Sequence, residues 1–169
     1  MGSPGVFSLI TVLATLALLV AEWRDSQAGR AVVKPLASAG FVAGALAQGA
    51  TESSYGQALL VALVLSWLGD VLLIPRSRRV FRAGILAFLL GHIAFVAAFL
   101  GRGVDLRVAS AALAVALVVA AVVGRWLLPH VPPEMKPAVI AYIAVISIMV
   151  ASALGTRRAP IALGAGAFY

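Results

Sequence analysis

The 169-residue sequence has no cysteine, only two histidines and only six acidic residues. Without cysteine the chain cannot form a disulfide, attack a substrate with a thiol or bind a metal through thiolates. Two histidines are too few for a conventional histidine-rich metal centre. We therefore expect no metal site and no cofactor.

Charged residues are also scarce, at 11% of the chain, whereas 63% of the residues are hydrophobic. Soluble domains are typically about 25% charged and about 45–50% apolar. A membrane-spanning helix needs about 20 mostly apolar residues, and several stretches of this sequence meet that need. The composition predicts an all-α, polytopic membrane protein with a single integral-membrane domain over residues 1–169.

Short polar segments divide the apolar sequence into six complete predicted spans and a partial seventh. Pro35 marks the start of the second span, because proline suits the first turn of a helix. The first apolar run has no basic segment before it and no cleavage site of small residues, so it is predicted to be a span and not a secretory signal. The predicted spans are residues 6–21, 34–49, 57–74, 81–100, 106–128 and 137–154, with 159–169 as the partial one.

The net charge of +7 comes from basic residues between the predicted spans, where they set membrane orientation. Their position argues against nucleic-acid binding. Because the more basic side faces the cytoplasm, we predict a multi-pass protein of the inner (plasma) membrane with its N-terminus outside. The cytoplasmic group is Arg24, Arg30, Lys34, Arg76, Arg78, Arg79, Arg82, Arg125 and Lys136, and the opposite group is Arg102, Arg107, Arg157 and Arg158.

Asp70 is the only carboxylate well inside a predicted span. It lies about 7 Å from the Pro75 end of that span, at 1.5 Å per helical residue. A carboxylate at this depth is costly unless it is protonated or paired with a cation, so an ionisable residue here is a candidate functional group. The alternative is a structural ion pair with Arg76, Arg78 or Lys34.

His92 lies about 15 Å into its predicted span from Arg82. The connection between the spans of Asp70 and His92 is short, which predicts antiparallel neighbours whose two side chains face one cavity about two turns apart in depth. Imidazole titrates near neutrality and could transfer protons there. The alternative is a histidine that hydrogen-bonds a neighbouring helix.

Three other polar residues are weaker candidates. Lys34 could bind a lipid phosphate at the mouth of its span, or extend its ammonium group to the membrane surface. Tyr142 and Ser147 could line the same cavity, or form ordinary hydrogen bonds between helices.

Several short motifs, each weak alone, occur in an order that is specific in combination. They are Lys34-Pro35-Leu36, Gly69-Asp70-Val71-Leu72-Leu73, Phe81 with Gly84, Phe88-Leu89-Leu90-Gly91-His92, and Tyr142, Ser147 and Met149. Over nearly the whole chain this order resembles the YhhN family, the lysoplasmalogenase-like membrane hydrolases.

The resemblance implies an eight-helix bundle that hydrolyses the vinyl ether bond of lysoplasmalogen to a fatty aldehyde and a glycerophospho-headgroup alcohol. It implies that Asp70 and His92 are the catalytic acidic residue and histidine, and that Lys34 is the lysine of a Lys-Pro pair. We expect Lys34, Tyr142 and Ser147 to bind the substrate. The expected partners are this vinyl ether lysophospholipid and membrane lipids, and the oligomeric state is left open.

The sequence departs from the family pattern in two places. Phe95 stands three residues after the histidine, where the family has tyrosine, so one hydroxyl is absent. Residues 164–169 match the start of a family helix that carries a second acidic motif, Ser-Asp, a few residues later, which we expect near position 172. A small transporter, a lipid-binding membrane protein and a structural membrane subunit are the alternatives to the enzyme.

Overall fold

The structure is a computed structural model that describes residue 23, residues 27–75 and residues 77–166. This part of the chain is helical and contains no strand, which confirms the all-α class there. The first predicted span, residues 6–21, lies outside the described residues, and so does Arg76, one of the expected partners of Asp70.

Six α-helices occur among the described residues, and short 3-10 turns at Ala50–Glu52, Leu128–His130 and Pro133–Met135 connect some of them. The described ends of these α-helices lie within three residues of the predicted ends, except for the start of the first helix. The helices are α1 (Gln27–Ala47), α2 (Ser54–Leu72), α3 (Arg78–Arg102), α4 (Leu106–Leu127), α5 (Lys136–Gly155) and α6 (Ala159–Gly166).

Pro35 lies inside α1 and not in its first turn, so the prediction that this helix begins near Lys34 was wrong. Proline cannot donate a backbone hydrogen bond, which normally ends or bends a helix in water. Membrane helices tolerate proline because neighbouring groups satisfy the freed backbone atoms. A proline is therefore an unreliable start signal in an apolar sequence.

Side-chain caps fix the starts of two helices. Ser53 Oγ accepts a hydrogen bond from the Gly56 N–H at 3.0 Å, so α2 begins at Ser54, three residues before its predicted start. Asp105 caps α4 in the same way. A capping oxygen satisfies one of the N–H groups that have no partner within the first turn.

Four segments of the described chain are long and apolar enough to cross a membrane. The exposed side of α4 agrees with this, because Val115, Val118, Val122 and Trp126 recur at helical spacing and are 66–70% exposed. Such a surface suits lipid and not water. The segments are Ser54–Leu72, Arg78–Arg102, Leu106–His130 and Pro133–Gly155, with Val33–Ala47 as a shorter apolar helix. The full number of spans remains a prediction.

The chain divides into two compact units, Met1–Ala94 and Phe95–Tyr169, with the boundary inside α3. Among the described residues, the first unit contains α1, α2 and the beginning of α3, and with them Lys34, Asp70 and His92. The second unit contains the end of α3 and helices α4 to α6. The single domain predicted from the sequence remains a prediction.

Candidate functional site

Helices α2 and α3 pack closely through glycines. A Cβ atom at Gly84 would lie 3.3 Å from the Gly69 carbonyl oxygen. A Cβ atom at Gly91 would lie 3.0 Å from Ser66 Oγ and 3.2 Å from the Ala62 carbonyl oxygen. Later residues of α3 thus face earlier residues of α2, which confirms that the two helices are antiparallel neighbours.

This register sets the relative depth of Asp70 and His92. Asp70 directly follows one contacting glycine of α2, and His92 directly follows a contacting glycine of α3. At 1.5 Å per residue the two side chains lie about 10 Å apart along the helix axes, close to the two turns expected from the sequence. The offset exceeds hydrogen-bonding distance, so any cooperation between them needs substrate or water in between.

Asp70 is paired with Lys34. The Lys34 ammonium nitrogen lies 3.2 Å from Asp70 Oδ1, and this ion pair joins α1 to α2. The lysine side chain is 35% exposed and the aspartate side chain 19% exposed, so the pair is accessible mainly from the lysine side. Lys34 is one of the three cations that the sequence offered as partners for Asp70.

A hydrogen bond next to the ion pair holds the same two helices together. The Trp67 indole N–H donates to the Pro35 carbonyl oxygen at 3.1 Å. Pro35 directly follows Lys34. Trp67 precedes Asp70 by three residues, which places Trp67 and Asp70 on one side of α2. This contact was not predicted from the sequence. The spacing of Trp67 and Asp70 was the only signal for it.

His92 is only 1% exposed, and its Nδ1 lies 2.7 Å from the Phe88 carbonyl oxygen. A carbonyl oxygen can only accept, so Nδ1 carries a hydrogen, and whenever the ring is neutral the lone pair is on Nε2. The Phe88 ring packs on α2, since a Cβ atom at Gly69 would lie 2.5 Å from its Cδ2. The residue that orients the His92 ring therefore also contacts the residue before Asp70.

The YhhN family model matches residues 29–169. The chain belongs to the YhhN family. The matched range includes all five residues predicted to form the site, and membership suggests a membrane hydrolase-like function without a specific reaction. No curated protein and no solved structure matches the chain.

Three residues that the YhhN resemblance singled out, Ser147, Tyr142 and Phe95, lie in the second unit. Ser147, on α5, is fully buried and donates its hydroxyl to the Ile143 carbonyl oxygen at 2.7 Å. Tyr142, also on α5, is half-buried. Phe95 is buried and stacks on Phe99 with ring centroids 6.0 Å apart. The cavity that Tyr142 and Ser147 were expected to share with Asp70 remains a prediction.

A second ion pair, which sequence analysis did not predict, lies in the second unit of this YhhN protein. Arg157 Nη2 lies 2.6 Å from Asp105 Oδ2. Asp105 Oδ1 accepts from the Arg107 and Val108 N–H groups at 2.9 and 3.2 Å, and the Asp105 N–H donates to the Gly155 carbonyl oxygen at 2.8 Å. An aspartate directly before a predicted helix was the available sequence signal.

These contacts stabilise the charged form of Asp105. The hydrogen bond from the Val108 N–H is the largest cause of a pKa below the ordinary value for the Asp105 carboxyl. The Arg107 N–H and the charge of Arg157 act in the same direction, and together they outweigh the opposing effect of partial burial. Asp105 therefore has a structural explanation in full, as a helix cap and a link between α4 and the end of α5.

Proposed function

We propose that this protein is a membrane-embedded hydrolase that cleaves the vinyl ether bond of lysoplasmalogens. The observation that carries the proposal is the Lys34–Asp70 pair, a carboxylate and an ammonium group 3.2 Å apart on two neighbouring helices. Membership of the YhhN family supports a hydrolase, and four apolar segments long enough to cross a membrane support a lipid substrate.

The reaction adds water across the vinyl ether. A proton moves to the outer alkene carbon and produces an oxocarbenium ion, and water then adds to the cationic carbon and loses a proton to form a hemiacetal. The hemiacetal collapses as its carbon–oxygen bond to glycerol breaks, which releases a fatty aldehyde and the glycerophospho-headgroup alcohol. Two carboxyl groups suffice, as in glycoside hydrolysis: one donates the proton, and the other, ionised, stabilises the cation and activates water.

We assign Asp70 to one of these two carboxyl positions. The YhhN resemblance assigns the second position to the acidic residue of the family's Ser-Asp motif. Asp70 is the residue of the described chain best placed for the role, because it is a mostly buried carboxylate near the end of an apolar helix. The aspartate of the second ion pair is occupied by backbone N–H groups.

Lys34 and His92 take the supporting roles. The Lys34 ammonium group is the more exposed member of its pair, and we propose that it binds the substrate phosphate through a charge-assisted contact. His92, about 10 Å deeper by helical rise, would relay protons through Nε2 while Phe88 fixes its ring. A single-chain lipid that enters from the cytoplasmic leaflet of the inner membrane would then place its headgroup at Lys34 and its chain at the depth of His92.

Aldehyde release from a lysoplasmalogen tests the proposal, with the saturated alkyl ether analogue as the substrate control. The assay should use this chain and a form extended through the expected Ser-Asp motif, each reconstituted in lipid. Aldehyde from the vinyl ether lipid alone is the expected result. If neither folded form releases aldehyde, while proteoliposomes move or bind the intact lipid, a transporter or lipid-binding protein replaces the enzyme.

A further inference from the structure

Lys34 is held by a hydrogen bond at its backbone, whereas its ammonium end is held by a partly exposed ion pair with Asp70. The Ser38 hydroxyl donates to the Lys34 carbonyl oxygen at 2.7 Å, and the Trp67 indole binds the carbonyl oxygen of the next residue. The four-carbon stem of a lysine has many rotamers, and its ammonium group has three donors. Because the side chain is 35% exposed, the ammonium group can turn away from its partner without a change in α1.

Asp70 has much less freedom than Lys34. Its shorter side chain is 19% exposed. The backbone beside it is fixed, since Gly69 packs against the Phe88 ring and its carbonyl oxygen lies next to Gly84. When the two members of this pair separate, the moving part is therefore the lysine stem.

We infer that the phosphate of the lysolipid takes Lys34 away from Asp70, so that substrate binding uncovers the catalytic carboxylate. This inference rests on the proposed function, because it assigns a role to the pair within that reaction. A phosphodiester is an anion that competes with a carboxylate for one ammonium group. Two anions that share the group also repel each other, which favours exchange over a three-membered cluster.

The exchange has a chemical consequence for the reaction. While Lys34 is bound to Asp70, its positive charge opposes an oxocarbenium ion next to the carboxylate. Once the phosphate holds the ammonium group, the Asp70 carboxyl faces the vinyl ether without a competing cation, whichever of the two carboxyl roles it has. Lys34 thus acts as a positioning residue that makes the site selective for ethers with a phosphate group.

The exchange can be tested by binding alone, without hydrolysis. The probes are a radiolabelled alkyl ether lysophosphatidylethanolamine, which cannot be cleaved as a vinyl ether, and the matching alkylglycerol without phosphate. Binding in lipid nanodiscs is measured for the parent, D70N, K34M and the double variant K34M/D70N. E52Q is the charge control, because it removes a carboxylate from the 3-10 turn just before α2, far along the chain from the Asp70 end of that helix.

D70N should bind the phosphate lipid about fivefold more tightly than the parent, because the phosphate no longer has to displace the Asp70 carboxylate from Lys34. A fivefold change corresponds to about 1 kcal/mol, the contribution of one partly exposed ion pair. The alkylglycerol should bind D70N and the parent equally, and E52Q should bind both lipids as the parent does. The tightening should vanish in the K34M background. Both variants without Lys34 should bind the phosphate lipid weakly.

Three results would overturn the exchange. They are equal or weaker binding of the phosphate lipid by D70N, a tightening that persists without Lys34, and a parent that does not prefer the phosphate lipid over the alkylglycerol. If the expected binding pattern is found but no aldehyde forms from the vinyl ether lipid, the exchange is supported and the hydrolase is rejected. If aldehyde forms but the binding pattern is absent, the hydrolase is supported and the exchange is rejected.

Discussion

The Lys34–Asp70 and Arg157–Asp105 ion pairs differ in what surrounds their carboxylates. Asp105 accepts two backbone N–H groups, caps α4 and contacts Arg157 at 2.6 Å. Asp70 lies within the last turn of α2, caps nothing and contacts Lys34 at 3.2 Å. Asp70 is also the less exposed carboxylate, with 19% of its side chain accessible against 32% for Asp105.

This difference separates a structural pair from a candidate functional one. The hydrogen bonds of Asp105 begin a helix and join it to the end of another, so the fold alone explains why an aspartate stands there. Nothing in the local backbone requires a carboxylate at Asp70, where its burial in an apolar helix is costly. A costly charge without a backbone role is the better candidate for chemistry.

Apart from the change of Asp70 itself, the largest expected effect comes from His92. H92Q keeps an amide of similar size that can donate to the Phe88 carbonyl oxygen, but it cannot transfer protons. Aldehyde release should fall by about 100-fold or more, the lower end of what general acid–base catalysis contributes. The measurement is the single-turnover rate, with the melting temperature as a folding control. A rate equal to that of the parent would limit the role of His92 to packing.

Removing the cation of each pair tests whether the two pairs differ in function. K34M should lower kcat/KM for lysoplasmalogen by about tenfold, because the phosphate loses a charge-assisted contact. K34R should recover part of the loss. R157M, the matched change in the second pair, should leave kcat/KM unchanged. Similar losses in K34M and R157M would show that both pairs are structural.

The contact between Gly69 and the Phe88 ring can be tested through the stability of the protein. G69A should lower the free energy of unfolding by about 1–3 kcal/mol, because the added Cβ atom overlaps the Phe88 ring and cannot be placed without movement. G101A is the control, since nothing lies within 4 Å of the added atom. Its stability should stay level or rise through better helix propensity. Thermal unfolding in detergent compares the two, and equal melting temperatures would contradict the packing described for α2 and α3.

The smallest effect is a pH dependence from Asp105. Its pKa is lowered in the folded protein, so its stabilising contribution is complete above the unfolded pKa of about 3.9 and is lost as pH falls through the lower folded pKa. D105N should therefore be less stable than the parent near neutral pH, and the difference should narrow under acid. The melting temperature of both proteins as a function of pH measures it. A difference that stays constant with pH would mean that the charge of Asp105 contributes nothing.

The sequence predicted local features well and contacts between helices poorly. Apolar runs fixed most helix ends to within three residues, and the short link between α2 and α3 predicted their antiparallel packing. Pro35 gave a wrong helix start, because the groups that make a proline tolerable inside a helix belong to other parts of the fold. The same reason hid the Trp67–Pro35 and Asp105–Arg157 contacts, whose partners are more than 30 residues apart in the sequence.

The catalytic role of Asp70 is tested most directly by the aldehyde release and the melting temperature of D70N and D105N in the same lipid nanodiscs. We predict that D70N loses activity by about 100-fold or more while it melts near the parent, because the carboxyl group acts in the reaction. D105N should melt lower than the parent and keep its activity where folded. Parental activity in D70N, or an equal loss of activity in both variants, would contradict the assignment of Asp70 to catalysis.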